Sequence, residues 1–501
     1  MTALAQMSAS DLLVPLVAAP LIGALLCVFA RKRRSEYVAT IFAALTLLLA
    51  LGAIAHFLAS PGASAHVLLG RLAPLTGESG PAPVAFELSL DALGALLLFV
   101  VTVIGFLVVI YSTRYLSARN LDHPVTEGKR RYYSWLLLFM GAMVGIALAG
   151  NFFQLFIFWE VTTLCSWALI SYYQDETSLR AGFKALIMTV VGSIFFLLAL
   201  VLMYLNLDSN PFAFDALSRL SPGLQTTVFV FLLIAAWAKA AQFPFFTWLP
   251  DAMAAPTPIS CYLHAAAMVK AGVYLIARVV LATYGLSYGL GLLVAVMALV
   301  TIFTALSLFL FEDNLKKILA LSTISHLAYI LLGCALGIGG AGAGFQGGLL
   351  HIVVHGCGKG LLFLSVGALA YYTGTYRISE LQGVGARLPI VALGFFVGAF
   401  TITGVPPLAG FWSKFLILAG CLQLGGFAAV IAILLLLESM TAFGFFLWVG
   451  HRVFFGPPSE VVARIPSSAG LMQAVLVILA ALCATVHYFA IPLVQQITPG
   501  M

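Results

Sequence analysis

The stretch KAAQFPFFTWLPDAMAAPTP, residues 239–258, interrupts a long apolar segment with two prolines, Pro244 and Pro250. A proline inside a membrane helix leaves a backbone carbonyl without a donor, which is tolerated where the carbonyl faces protein or water. Lys239 begins the stretch, five residues before the first proline. The pattern predicts a broken helix with a lysine beside the break.

A second stretch has the same construction. ITGVPPLAGFWSK, residues 402–414, places Pro406 and Pro407 inside another apolar segment and ends at Lys414. Two unrelated proline kinks, with a lysine that extends to the membrane surface, would explain it as well. Broken helices in corresponding positions of two halves are typical of transporters with inverted repeats, whose ion path passes the breaks. The pair of stretches favours the transporter interpretation.

The composition is that of a membrane protein. Of the 501 residues, 62% are hydrophobic and 8% are charged, which is too little charge for the surface of a soluble domain. Apolar segments of about 20 residues, long enough to cross a bilayer as helices, recur over the whole length. The sequence therefore predicts an all-α polytopic membrane protein with about 14 transmembrane helices. The predicted segments are 12–30, 37–58, 91–111, 133–150, 152–174, 182–206, 226–247, 258–282, 289–311, 316–336, 346–372, 388–418, 424–450 and 468–493.

Basic residues are distributed unevenly between the predicted loops. If the N-terminus lies outside, the inner loops contain sixteen Lys and Arg residues and the outer loops contain three. The positive-inside rule then places both termini outside, which is the periplasmic side of a bacterial inner membrane. The first segment is followed by Arg31-Lys32-Arg33-Arg34 rather than by a cleavage site, so a retained helix is expected. The net charge of +6 follows from this topology and indicates no nucleic-acid partner.

Ionisable side chains lie in the middle of several predicted helices. A charge at the bilayer centre costs about 2.5–3.5 kcal/mol on insertion scales, so such groups must face the bundle interior. In HIVVHGCGK, residues 351–359, two histidines and a lysine are four residues apart and cover about 12 Å of one helix face. Because histidine exchanges protons near neutral pH, a line of such groups predicts a proton path. The candidate path residues are Glu160, Lys239, His264, Lys270, His351, His355, Lys359 and Lys414.

Some ionisable residues have a second interpretation that the sequence leaves open. Glu160 and Lys239 are also compatible with a purely structural ion pair. Lys184 lies near a helix end, from which its side chain can extend to the membrane surface. His326 is compatible with a hydrogen-bonded buried histidine, and Glu438 has no basic residue close to it in the sequence. Lys184, His326 and Glu438 are therefore possible additional site residues.

Two motif matches do not indicate a cofactor. GIGGAG, residues 337–342, fits the GxGxxG pattern but follows a predicted membrane helix instead of a strand. His351 and His355 have the spacing of a zinc-binding helix but lack the adjacent glutamate. The seven cysteines are scattered singly without a CxxC pair. We expect no metal and no cofactor in this chain, and any redox reaction must occur in other chains.

Five stretches together resemble a known family. They look like the antiporter-like subunits shared by respiratory complex I (NADH:quinone oxidoreductase), Mrp cation/proton antiporters and membrane-bound hydrogenases. The resemblance runs from about residue 85 to 420, and its central block, from WLPDAM to VKAGVY, is highly specific. The stretches are FFQLFIFWEVTTLCSWALI (152–170), WAKAAQFPFFTWLPDAMAAPTPISCYLHAAAMVKAGVYLIAR (237–278), NLKKILALSTISHLAYI (314–330), HIVVHGCGKGLLFLSVGAL (351–369) and GVPPLAGFWSKFLI (404–417).

The resemblance implies two inverted five-helix repeats, with helices seven and twelve broken. Residues 1–131 would then hold helices one to three, and residues 132–282 the first repeat, helices four to eight. Residues 283–450 would hold the second repeat, helices nine to thirteen, and residues 451–501 helix fourteen.

The resemblance also implies a function. In this family the glutamate of helix five pairs with the lysine of helix seven, which match Glu160 and Lys239, and the other candidates match a proton path along a central hydrophilic axis. The implied role is proton translocation coupled to a reaction in partner subunits. The chain would then be a non-catalytic pumping subunit of an oxidoreductase complex. Its expected partners are other membrane subunits and the lipid bilayer. This chain is expected to carry H⁺, and any Na⁺ is expected to pass through a partner subunit.

Other functions stay open on the sequence. The alternatives are a self-sufficient secondary Na⁺(K⁺)/H⁺ antiporter, a proton-driven membrane subunit of an inorganic-carbon uptake system, and a purely structural scaffold. A hard cation requires several oxygen ligands, yet Glu160 and Glu438 are the only acids in the middle of predicted membrane segments. This composition favours protons as the ions that this chain carries.

Overall fold

The protein is described from a computed structural model, which covers residues 8–30, 34–59, 65–72, 84–465 and 470–497. Arg31, Lys32 and Arg33 of the predicted basic loop lie outside the described residues. The described part is dominated by α-helices. In chain order these are α1 Ala9–Phe29, α2 Arg34–Ala59, α3 Ala92–Tyr115, α4 Lys129–Leu148, α5 Phe152–Ile170, α6 Glu176–Asn206, α7 Pro222–Lys239, α8 Trp248–Asp251, α9 Thr257–Ala265, α10 Met268–Ala282, α11 Tyr288–Phe309, α12 Leu315–Ile338, α13 Gly342–Thr373, α14 Pro389–Thr403, α15 Ala409–Leu424, α16 Gly426–Phe454, α17 Glu460–Ala463 and α18 Leu471–Ile497.

These helices confirm the polytopic membrane fold. Among the described residues, thirteen helical segments are long and apolar enough to cross a membrane, when α9 and α10 are taken together as Thr257–Ala282. The shorter apolar helices α14 and α15 form one further segment, interrupted at 404–408. Each of the fourteen apolar segments of the sequence therefore corresponds to a helix or to a broken helix.

The first predicted break begins earlier than the sequence indicates. Helix α7 ends at Lys239 and does not continue to residue 247. The backbone of Ala241 has a positive φ of 51°, which a right-handed helix cannot accommodate. The chain then passes through short helical turns, including α8, before α9 begins at Thr257. Lys239 consequently occupies the carboxyl end of a helix inside the bundle.

A further break separates α9 from α10, where the sequence predicts one continuous helix over 258–282. The Ala266 amide makes the last regular helical bond, to the carbonyl oxygen of Tyr262 over 3.1 Å. The Ala267 amide donates to the same oxygen over 2.9 Å, one residue further back than in a regular α-helix. Helix α9 therefore ends at Ala265, and α10 begins at Met268. The break contains neither proline nor glycine, so its residue types do not predict an interruption.

The second predicted break lies between α14 and α15. Gly404 ends α14 with a φ of 88°, a left-handed conformation that glycine adopts without strain. Gly410 then lets the first turn of α15 press against α14, because a Cβ at this position would lie 1.6 Å from the carbonyl oxygen of Thr401. The break therefore depends on glycine for close backbone contact as well as on its prolines.

Helices α12 and α13 form the centre of the bundle, and their membrane-spanning windows are fully buried. Small residues allow membrane helices to approach closely. A Cβ on Gly333 of α12 would lie 2.5 Å from the Cα of Gly348 on α13. A Cβ on Gly420 of α15 would lie 2.4 Å from the Cα of Gly344, also on α13. Helix α13 therefore packs tightly against both neighbours, and this positions its ionisable side chains.

An antiparallel hairpin of strands β1 Ala65–Leu72 and β2 Val84–Leu90 lies in a region that the sequence predicts as a loop. Its backbone is tied to the α4–α5 connection. The Gly150 amide donates to the Glu87 carbonyl over 3.1 Å, and Asn151 Nδ2 donates to the Ala85 carbonyl over 2.7 Å. The hairpin therefore closes one end of the bundle near the start of α5.

Candidate functional site

The lysine at the end of α7 is fully buried. The Lys239 ammonium donates to the Trp159 carbonyl and to Thr163 Oγ1, both over 2.7 Å. It also lies 4.5 Å from the centre of the Trp159 ring. All three contacts come from α5, so this helix holds the ammonium at the edge of the first break.

Glu160 lies on α5 next to these acceptors but does not form the expected ion pair. Of the residues that the structure describes, none places a cationic group within 4.0 Å of its carboxylate. Its Oε1 atom is buried without a hydrogen-bond partner. The direct contact with Lys239 that the resemblance implies is therefore not formed here, because the ammonium binds Trp159 and Thr163 instead. Glu160 is half-buried, and the side chains of Ile157 and Leu164 on the same helix face are exposed.

Four buried side chains from three helices lie in a row, which we call the central row: Lys270, His355, His326 and His351. Lys270 Nζ lies 2.9 Å from His355 Nδ1. The rings of His355 and His326 are 5.6 Å apart, and His326 Nδ1 lies 3.1 Å from His351 Nε2. The other ring nitrogen of His351, Nδ1, lies 2.9 Å from Ser413 Oγ on α15. His326, which the sequence leaves open, therefore connects the two histidines of α13.

Two further predicted path residues lie in the same interior. The Lys359 ammonium donates to Ser322 Oγ and to the carbonyl oxygen of Leu319 on α12. The ring of His264 lies 4.9 Å from that of Phe363, and both of its nitrogens are buried without a partner among the described residues. Buried polar groups are nearly always hydrogen-bonded, often to water, so the nitrogens of His264 mark a position that a water molecule would satisfy.

A cluster of charged and hydroxyl groups, which we call the distal cluster, lies beyond the central row. Lys414 Nζ donates to Ser439 Oγ over 2.7 Å and lies 3.9 Å from Glu438 Oε2. Glu438 is 1% exposed and accepts hydrogen bonds from Tyr329 over 2.5 Å and from Ser325 over 3.1 Å. The structure thus gives Glu438 a basic partner that is remote in sequence, and Lys414 is buried and does not extend to the surface.

Lys184 does not join the row. Its ammonium binds Asp251 Oδ2 over 2.6 Å and the carbonyl oxygen of Thr247 over 3.2 Å. The side chains of Lys184 and Asp251 are 41% and 48% exposed. This pair joins α6 to the segment that follows Pro244, so its contacts are those of a tie across the first break.

Several polar residues of the site are not evident from the sequence. Four of the buried path residues, Lys239, Lys359, His351 and Lys414, are each bound by a side-chain hydroxyl group. These hydroxyl groups come from Thr163, Ser322, Ser413 and Ser439. Serine and threonine are common in membrane helices and usually bond to their own backbone, so their presence alone is a weak signal.

Two further basic residues, Lys316 and Arg278, are buried. Lys316 donates to the carbonyl oxygens of Met253 and Ala255, over 2.8 and 2.5 Å, and therefore holds the segment after the first break. Arg278 binds both carboxylate oxygens of Asp91, which caps α3. Burial favours the neutral acid, but the charge of Arg278 together with the hydrogen bonds from Arg278 and from the Gly94 amide outweighs it and keeps the pKa of Asp91 below its usual value.

A short hydrogen-bond chain leads from the surface to the start of α9. Asp122 accepts from the Tyr376 hydroxyl over 2.6 Å, and that hydroxyl lies 2.7 Å from Thr257 Oγ1. Thr257 begins α9 and precedes His264 by two helical turns. Burial would raise the pKa of Asp122, but hydrogen bonds from His123 and Tyr376 lower it below its usual value. The chain provides an ionised carboxylate at the surface end of a polar line.

Taken together, these contacts join Lys270 and three histidines to Ser413 in a buried line of groups of the kind that exchange protons, and Lys414 of the distal cluster is the next residue after Ser413. Each neighbouring pair in the central row lies within hydrogen-bond distance, except His355 and His326, whose rings are 5.6 Å apart. A water molecule or a rotation of either ring would be needed to close this gap. Among the described residues no hydrogen bond links Lys239 to this row; α7 and α10, which carry Lys239 and Lys270, pack against each other.

Comparison with known families gives matches over most of the chain. The family described as "NADH:quinone oxidoreductase/Mrp antiporter, TM" matches residues 149–441. The family described as "NADH-Ubiquinone oxidoreductase (complex I), chain 5 N-terminus" matches residues 78–133. The first of these matches alone covers more than half of the sequence.

Individual relatives agree with this assignment. The chain is 35% identical to Na(+)/H(+) antiporter subunit A1 of Staphylococcus haemolyticus over 439 residues, which is 82% of this chain and 53% of the relative. It is 38% identical to the subunit A1 of Staphylococcus aureus over 66% of this chain and 42% of the relative. The chain thus spans about half the length of the curated relatives that it matches.

Solved structures with the same fold include two membrane complexes. A chain of the Mrp complex from Dietzia sp. DQ12-45-1b matches with a TM-score of 0.82 and 29% identity, over 97% of this chain and 51% of that chain. A chain of the membrane-bound sulfane sulfur reductase, an archaeal respiratory membrane complex, matches with a TM-score of 0.82 and 26% identity, over 98% of this chain and 96% of that chain. The chain therefore belongs to the family of NADH:quinone oxidoreductase/Mrp antiporter transmembrane subunits.

Proposed function

We propose that this chain translocates protons as the antiporter-like subunit of a multisubunit membrane assembly. The observation that carries the proposal is the central row, which reaches Ser413 next to Lys414 of the distal cluster. Burying this many ionisable groups costs free energy, and a purely structural scaffold has no use for them. Lysine and histidine side chains in hydrogen-bond contact are groups that accept and release protons in turn.

Partner subunits would supply the driving reaction. The relatives support this: one set of relatives is named as antiporter subunits, and the structural matches are chains of an Mrp complex and of an archaeal respiratory membrane complex. Other membrane subunits would contact the face of α5 that carries Glu160. We place the assembly in a bacterial inner membrane with both termini outside, following the distribution of basic residues.

The ammonium of Lys239 would act as a gate between two binding positions. In one position it binds Trp159 and Thr163, as described above, and in the other it would pair with Glu160, whose Oε1 is buried without a partner. An opposite charge stabilises the charged lysine, so a partner subunit that attracts or repels the Glu160 carboxylate would shift the ammonium between these positions. Movement of this charge would then drive a proton along the central row.

A self-sufficient Na⁺(K⁺)/H⁺ antiporter is the second candidate, because subunit A1 relatives are named as Na(+)/H(+) antiporter subunits. The buried groups favour protons. In the described interior only Glu438 joins the path as a buried carboxylate, and its oxygens already bind Tyr329, Ser325 and Ser439. Na⁺ or K⁺ would therefore pass through a partner subunit. An inorganic-carbon uptake role has no specific observation in its favour.

The proposal is tested by Lys239→Ala and Glu160→Gln in the assembled complex, with Lys317→Ala, at an exposed lysine, as the control. The variants are purified with their companions, which mass spectrometry identifies, and proton movement is followed in vesicles with a pH-sensitive dye. We expect normal assembly with coupled proton movement abolished in both variants. Full proton movement in either variant would remove the gate, and a chain that purifies alone and still moves protons would refute the subunit role.

A further inference from the structure

An amphipathic cleft between α1 and α4 is not explained by proton transfer. Its volume is about 800 Å³, which lies in the range of small-molecule sites. Its floor is apolar: Leu21, Leu25 and Val28 line it from α1, and Trp135 and Leu138 line it from α4. Leu21 to Val28 covers two helical turns, about 10 Å. The cleft therefore runs from the end of the two helices into the apolar part of the membrane.

The mouth of the cleft is basic. Three consecutive residues, Lys129, Arg130 and Arg131, line it together with Glu127. The Lys129 ammonium is neutralised by an ion pair with Glu36 of α2. In the described part of the chain, neither arginine has a carboxylate within 4.0 Å. Among the described residues, the two guanidinium charges at the mouth of the apolar cleft therefore have no counter-ion.

Arg131 is held in place but not satisfied. Its Nη2 atom donates to the carbonyl oxygen of Tyr172 over 2.5 Å, and its guanidinium lies 5.4 Å from the centre of the Tyr172 ring. The Nε atom is buried and has no hydrogen-bond partner among the described residues. A buried donor without a partner is uncommon and indicates an acceptor that is not part of the chain. Guanidinium groups match phosphate in charge and in hydrogen-bond geometry.

We propose that this cleft binds one anionic phospholipid. The phosphate would contact Arg130 and Arg131 at the mouth, and one acyl chain would lie along the floor formed by α1 and α4. Basic pockets between transmembrane helices bind anionic headgroups, and each arginine near the surface contributes about 1 kcal/mol, which is about a fivefold change in affinity. A transmembrane helix of a partner would fill the floor but would leave both guanidinium charges unpaired. The site shares no residue with the central row, so it stands independently of the proposed function.

The test measures lipid selectivity next to Trp135, which lines the cleft. The full chain is placed in nanodiscs of phosphatidylcholine that contain a small fraction of phosphatidylglycerol. Either lipid carries bromine atoms on its acyl chains, which quench nearby tryptophan fluorescence. The signal of Trp135 is the difference between the protein and its Trp135→Phe variant. The test variant is Arg130→Gln/Arg131→Gln, and the control is Arg114→Gln/Arg119→Gln, at two exposed arginines outside the cleft.

We expect brominated phosphatidylglycerol to quench Trp135 at a concentration lower than brominated phosphatidylcholine requires. The double glutamine variant at the mouth should lose about 25-fold of this preference, and the control should keep it. Equal quenching by the two lipids, or an unchanged preference in the mouth variant, would overturn the proposal. If the intact assembly shows no quenching and cross-links form between the cleft and a companion subunit, a protein partner occupies the cleft and the proposal is wrong. If glycerol phosphate, which has no acyl chain, displaces the brominated lipid as well as intact phosphatidylglycerol does, the cleft is a site for free phosphate. That result would also overturn the proposal.

Discussion

Replacing Glu438 by glutamine should stop proton movement at the distal cluster while leaving the fold intact. Glutamine has the same shape and retains an acceptor for the Tyr329 hydroxyl, but it removes the negative charge 3.9 Å from the Lys414 ammonium. At this distance and an effective dielectric constant of about 20, the attraction between unit charges is about 4 kcal/mol. Both side chains are at least 92% buried, so solvent screens this attraction little.

The loss of about 4 kcal/mol corresponds to a change of about 1,000-fold in the ratio of charged to neutral Lys414. We therefore expect proton movement in vesicles that contain the assembled complex to fall by two to three orders of magnitude. The control is Glu460→Gln, which makes the same substitution at an exposed glutamate and should have no effect.

A double-mutant cycle isolates the interaction of Glu438 with Lys414. If the two residues act together, the variant Glu438→Gln/Lys414→Met should be no slower than the slower single variant. Multiplication of the two losses would show that the carboxylate and the ammonium act independently. Wild-type rates in Glu438→Gln would refute the reasoning altogether, because the ammonium would then need no counter-ion.

Three further predictions concern the gate, the second break and the outer ion pair. Thr163→Val removes one of the two acceptors of the buried ammonium and should slow proton movement by about 10- to 100-fold, whereas Thr162→Val, whose hydroxyl bonds only to its own helix, should not. Gly410→Ala should lower the thermal unfolding midpoint or prevent folding, because the added Cβ overlaps a backbone carbonyl, whereas Gly444→Ala, with open space around it, should be tolerated. Asp91→Asn should destabilise the protein by about 1–2 kcal/mol at pH 7, allowing for the partial exposure of the carboxylate. Since the pKa of Asp91 is lower in the folded state, this contribution to stability is complete above about pH 4 and disappears as the pH falls further. Thermal melts of the variant and the wild type at pH 7 and pH 3.5 measure it. An equal difference between the two proteins at both pH values would contradict the prediction.

The membrane fold was predictable because length, hydropathy and proline are local signals. Each apolar segment became a helix, and both proline-rich stretches became breaks. The extent of the breaks was not predictable in the same way. Ala266 and Ala267 carry no residue-type signal, so the sequence does not indicate the interruption between His264 and Lys270. The β1–β2 hairpin was not predicted, because the residues between the second and third membrane segments were treated as a loop and were not examined for paired strands.

The candidate site was predictable as a set of residues but not as a set of contacts. His351, His355 and Lys359 share a helix face, so their alignment follows from spacing. His326 becomes a link in the row only because α12 lies against α13. The pair of Lys414 and Glu438 likewise requires two helices to meet, and the partner of Arg278 lies 187 residues away in the sequence. Sequence spacing carries no information about such contacts.

The central row contains basic groups and no carboxylate, and this composition limits how much charge it can store. Two protonated rings 5.6 Å apart, the separation of His326 and His355, repel each other by about 3 kcal/mol at an effective dielectric constant of about 20. A second proton is therefore disfavoured by more than about 100-fold while the first remains. The row would therefore hold one extra elementary charge at a time. Protons would cross it in single file, and its throughput would saturate when the supply of protons increases. The membrane voltage would act on each transfer as on one charge moving a fraction of the membrane thickness.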